Sequence, residues 1–64
     1  MKELQELNAK FVRVYANLPV PERSQVVAVI DDKPYSWDVA YAEISNETVL
    51  GNKILKKIKL LGIL

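Results

Sequence analysis

The 64-residue chain is half hydrophobic and carries nine Lys and Arg against eight Asp and Glu. It has no Cys and no His, which excludes disulfides, thiolate and imidazole catalysis, and the zinc sites those residues build. A chain this short makes one domain and buries only about 60% of the surface its unfolded form exposes, so its core is thin.

Residues 2–18 predict an amphipathic helix. Leu4, Leu7, Phe11, Val14, Tyr15 and Leu18 recur at spacings of three and four, a stripe about 100° wide. Lys2, Glu6, Lys10, Arg13 and Asn17 fall on the other side, with Glu6 four residues before Lys10, the favourable ion-pair order. Phe11 to Tyr15 is also β-branched and aromatic, so residues 10–16 fit an alternating strand as well. Pro19 ends the segment. Residues 18–24 hold two prolines and read as an ordered connector.

Residues 25–30 are the strongest strand signal: four of the six are Val or Ile and none is a breaker. Asp31-Asp32 supplies turn chemistry, because Asp tolerates a left-handed backbone. A shorter strand over 33–37 completes a β-hairpin, with Pro34 at a position that donates nothing to the ladder. Residues 37–44 predict a short helix capped by Ser36 or Asp38. Ser45, Asn46 or Thr48 then caps a last helix running to about Leu61, with Gly62 as its stop. Its apolar stripe is read as Leu50, Ile54, Ile58 and Leu61. The expected architecture is a single α+β domain over residues 1–64, ordered helix, β-hairpin, short helix, helix. The expected core is Leu4, Leu7, Phe11, Val27, Val29, Ile44, Leu50, Ile54 and Ile58.

Charge is segmental. Residues 1–30 carry +1, residues 31–49 carry −4, and residues 50–64 carry +4 from Lys53, Lys56, Lys57 and Lys59. No apolar run reaches the roughly 20 residues of a membrane span, and residues 1–5 are charged and helical in pattern, unlike a signal peptide. A cytoplasmic location is expected. The cationic pattern of residues 53–61 resembles a membrane-surface helix, but a domain this small needs Ile54 and Ile58 for its core, so no membrane contact is expected.

Catalytic signals are sparse. Asp31 and Asp32 match no calcium loop and are read as a turn. No Ser has a visible base, and two glycines make no phosphate cradle. The expectation is a non-enzyme with no cofactor, metal site or small-molecule ligand. The aromatics are read as core and its rim, since they are not interleaved with Lys or Arg as a base-stacking platform requires. The spacing Trp37, Tyr41, Glu43-Ile44, Thr48, Gly51 is specific, but it points to no chemistry.

Two functional readings follow. A two-stranded hairpin leaves an open edge and is marginal alone. The strand over 26–30 is apolar on both faces, as in a strand covered on both sides. Val49, Leu55 and Leu60 lie off the last helix's expected stripe. This apolar excess predicts a self-associating interaction domain, a homodimer, with Val27, Val29, Val49, Leu55 and Leu60 as interface residues. The alternative is a DNA-binding regulator. The last two helices superficially resemble the helix-turn-helix of a winged domain, and Pro34–Trp37 as a ribbon followed by two helices resembles a ribbon-helix-helix, although the first of those helices is short. Lys53, Lys56, Lys57 and Lys59 would then contact phosphate. The helix-turn-helix register fits poorly, because Tyr41 stands where a small residue is wanted and Asn46 where an apolar one is.

Overall fold

A computed structural model describes residues 2–64 and gives the order α1 (Lys2–Ala16), a 3₁₀ turn (Val20–Ser24), β1 (Val26–Ile30), β2 (Lys33–Ser36), α2 (Trp37–Ser45) and α3 (Val49–Leu60). The α+β class and the element order are those expected from the sequence. The Cα radius of gyration is 10.6 Å, against about 10.7 Å for a compact domain of this length. A single copy therefore closes its own core.

Residues 10–16 are helical. The spacing of Leu7 and Phe11, both buried, prevails over the β propensity of the Phe11–Tyr15 run. The helix ends at Ala16, two residues before the expected limit. Asn17 and Leu18 donate to the carbonyls of Val14 and Tyr15 in a tightened last turn, and Pro19 holds Leu18 out of the helical region.

The β1–β2 pair is antiparallel, with Ile30 opposite Lys33, Val29 opposite Pro34 and Ala28 opposite Tyr35. Asp31 and Asp32 have φ of 51° and 65°, the positive pair that a type I′ hairpin turn requires. The register slips between Val26 and Ala28, so Val27 is an extra residue in a bulge. This breaks the alternation: Val27 and Ala28 are both buried, while Val26 and Val29 are 57% and 50% exposed. The expectation of a strand covered on both faces fails for that reason, and Val29 leaves the expected core.

Ser36 caps α2 by accepting from the Val39 N–H at 3.2 Å. Ala40 and Ile44, one turn apart, are its buried residues. The helix ends in a Schellman motif: Glu47 N–H donates to the Ile44 carbonyl and Thr48 N–H to the Glu43 carbonyl, each at 3.1 Å. Glu47 takes the left-handed position at φ 54°.

The buried residues of α3 are Gly51, Ile54, Leu55 and Ile58, the i, i+3, i+4, i+7 pattern of one helical face. The face is rotated from the expected stripe. Leu55 is buried to 1% exposure, whereas Leu61 is more than half exposed and Leu50 only partly covered. The stripe is centred on Gly51, which has no side chain to mark it. A Cβ there would lie 2.5 Å from the Glu43 carbonyl oxygen and 2.9 Å from Ile44 Cα. Helix α3 therefore approaches the end of α2 as closely as backbone allows. The core comprises Leu7, Phe11, Val27, Ala28, Ala40, Ile44, Ile54, Leu55 and Ile58, with Leu4, Tyr15, Ile30, Tyr35, Trp37, Tyr41, Leu50 and Leu64 packed around it.

Candidate interaction surfaces

The α2–α3 corner accounts for the specific spacing in the sequence. Thr48 Oγ1 accepts from Gly51 N–H at 2.9 Å, capping α3, and donates to Glu43 Oε1 at 2.8 Å. Glu43, Thr48 and Gly51 therefore form a structural joint between two helices. Trp37 and Tyr41 belong to an aromatic row beside it. Trp37 stacks on Phe11 at 5.6 Å between centroids, and Tyr41 stacks on Tyr15 at 4.3 Å. The Arg23 guanidinium lies 4.5 Å from the Tyr15 ring centre, which ties the proline-bearing connector to α1. Tyr15 Oη donates to Asp38 Oδ1 at 2.6 Å. That hydrogen bond, helped by burial, raises the phenol pKa above its ordinary value.

The predicted interface residues fall into two groups. Val27 and Leu55 are core residues and present no surface. Leu55 packs because the stripe of α3 is rotated toward it, and Val27 because the bulge turns it inward. Val29, Val49 and Leu60 are 50%, 74% and 84% exposed. Val49 and Leu60 stand eleven residues apart on α3, three turns, so they share one outward face with Lys53 and Lys56 between them. Val29 lies on the outer face of the hairpin, opposite Pro34.

The four lysines of α3 are all exposed. Lys59 pairs with Glu3 of α1, and Lys53 Nζ stands 3.9 Å from Asp31 Oδ2. Lys56 and Lys57 have no ion pair among the described residues. The Lys59 ammonium, by hydrogen bond and charge, holds the Glu3 carboxyl below its usual value. The acidic middle and basic tail thus meet once within the chain, at Asp31 and Lys53. Both groups are exposed, and such a pair contributes little.

A cleft of about 400 Å³ lies between α1, the end of α2 and the start of α3. Leu4 and Leu55 line it together with Gln5, Asn8, Ser45, Glu47 and Asn52. Asn8 Nδ2 donates to the Ile44 carbonyl at 3.1 Å, so this amide helps finish α2. Sequence reasoning missed the cleft, because only the helix crossing brings these polar side chains together. Among the described residues no cluster of three or more His, Cys, Asp or Glu could hold a metal, and no helix is long and apolar enough to cross a membrane.

The fold and its surfaces define a small α+β domain with no obvious catalytic or metal-binding group among the described residues. No family model matches the chain, and comparison with curated proteins and with solved structures finds no match.

Proposed function

We propose that the protein is a non-enzymatic interaction domain that associates with itself. The observation that supports this is where its apolar residues lie. The core closes without Val20, Val26, Val29, Val49, Leu60 and Leu61, all of them half or more exposed. Six such residues on a chain of 64 are a large apolar burden for a monomer, and burying part of this surface between copies supplies the drive for association. Charge does not oppose it, because the net charge is only +1. Light scattering tests the proposal. Twice the chain mass is expected at about 100 μM, with a melting temperature that rises with protein concentration because association is linked to folding. A monomeric mass with a concentration-independent melt would reject it.

A second reading has one observation in its favour. Lys56 and Lys57 project from the exposed side of α3 with no ion pair among the described residues, beside Lys53, whose contact is long. Such a face suits a phosphate backbone. Binding of random duplex DNA should then weaken steeply with salt, and Lys56→Ala with Lys57→Ala should flatten that dependence by about two contacts. The absence of any salt-dependent retardation would dispose of this reading.

A further inference from the structure

We infer that two copies of this chain pair through the free edges of their β1 strands, antiparallel about a twofold axis, giving a four-stranded sheet in the order β2-β1-β1-β2. The inference rests on the self-association reading and adds its surface and geometry.

The hairpin turn fixes which main-chain groups are free. With a two-residue turn at Asp31 and Asp32, Ile30 and Lys33 form the hydrogen-bonded pair beside it. Val29 and Pro34 are then a non-hydrogen-bonded pair. The N–H and C=O of Val29 therefore point away from β2. Neither has a partner among the described residues. Pro34 sits at the matching position on the other edge, where its outward donor is missing, and Lys33 stands next to it. The β2 edge is thus guarded by a proline and a charge, the two usual devices against strand addition. The β1 edge has neither: Val26, Val27, Ala28, Val29 and Ile30 are all uncharged and apolar.

The occupant follows from what such an edge accepts. It requires an extended, uncharged, apolar segment with free main-chain groups. Among the described residues β1 is the apolar segment that qualifies, because the other apolar runs are helical or, like residues 61–64, fold back on the end of α3 in a turn. Charge sets the direction. Parallel pairing would place the carboxylates of two Asp31-Asp32 turns side by side. Antiparallel pairing separates them, and sets each acidic turn beside residues 24–30 of the other copy, which carry no charge. Val26 and Val29, half exposed in one copy, then gain apolar cross-strand neighbours. The sheet passes from two strands, marginal in water, to four.

Amide hydrogen exchange at Val29, followed by NMR at rising protein concentration, tests the pairing. Exchange should slow about tenfold at a total concentration about 100 times the dissociation constant, because the amide is bonded only in the dimer. Val29→Lys, which places a charge on the edge, and Val29→Pro, which removes the donor, should both be monomeric by light scattering. Val29→Ile should remain dimeric. If the proline variant fails to fold, the lysine variant and the exchange measurement decide alone. A dimer whose Val29 amide exchanges at one rate at all concentrations, or a dimeric Val29→Lys, overturns edge pairing and leaves self-association standing. A wild-type chain that is monomeric throughout overturns both.

Discussion

Replacing Glu47 by Gly should stabilise the protein. The Schellman motif that ends α2 places Glu47 at φ 54°, a left-handed conformation that costs a residue bearing a Cβ about 1–2 kcal/mol. Glycine removes that strain and returns about 0.5–1 kcal/mol through its greater freedom in the unfolded chain. The net gain is about 0.5–1 kcal/mol, or roughly 2–8 °C in melting temperature for a domain of this size. The chain contains its own reference. Helix α3 ends in the same motif, with Gly62 N–H bonded to the Lys59 carbonyl and Ile63 N–H to the Ile58 carbonyl, each at 3.1 Å. There the left-handed position, at φ 78°, is already glycine. Gly62→Ala should therefore lose about what Glu47→Gly gains, since no atom stands within 4 Å of the added methyl and only backbone strain acts. Thermal and urea denaturation followed by circular dichroism, at one low protein concentration, measures both. Glu47→Ala is the control for removing a carboxylate. If alanine stabilises as much as glycine, the effect is electrostatic and the strain argument is wrong.

Three further outcomes follow from the packing and the ion pairs. Gly51→Ala should destabilise by about 1–3 kcal/mol even though alanine is the better helix former, because the new methyl meets the Glu43 carbonyl at 2.5 Å; a more stable variant would show that the α2–α3 corner can open freely. Ile54→Ala, at a fully buried site, should cost about 2–5 kcal/mol in urea denaturation, and a loss under about 0.5 kcal/mol would mean that α3 does not face the core. The depressed Glu3 carboxyl gives a stability contribution present above its unfolded value of about 4.3 and lost as pH falls through its lower folded value. Lys59→Met should flatten the acid limb of the stability profile in that window, and an unchanged profile would show that the pair carries no energy.

The sequence made the helices, the turn and the strand legible because each has a local cause. The spacing of Leu7 and Phe11, the paired aspartates, the β-branched run and the Thr48 cap act within a few residues. What it hid arises between elements. The bulge at Val27 depends on how β1 meets the start of α2, where Trp37 N–H bonds the Gln25 carbonyl at 3.1 Å. No residue type marks it, so strict alternation misplaced Val29. The rotation of α3 depends on Gly51, whose contribution is the lack of a side chain and is invisible to a count of apolar residues. Leu55 was misread as surface for that reason. Of the candidate interface, Val49 and Leu60 lie on the surface, as does Val29, which the expected core also claims, while Val27 and Leu55 belong to the core.

The candidate interface residues left on the surface lie in two places of different physical character, and one substitution separates them. On α3 the main chain is closed by helical bonds, and Val49 and Leu60 stand among exposed lysines. On β1 the apolar side chains accompany main-chain groups with no partner. Burying Leu60 gains only area, whereas pairing Val29 gains area and satisfies two backbone groups. Leu60→Glu should therefore leave the association constant within about threefold of wild type, as Val29→Lys should not. Its effect on the monomer should be a loss of a few tenths of a kcal/mol, because an acid near a helix C-terminus opposes the dipole. Sedimentation equilibrium on the two variants measures the difference. Dissociation by Leu60→Glu alone would move the interface to the outward face of α3, where Lys53 and Lys56 would meet the partner's carboxylates. Raising the salt would then weaken the dimer, while edge pairing through uncharged valines would be almost indifferent to it.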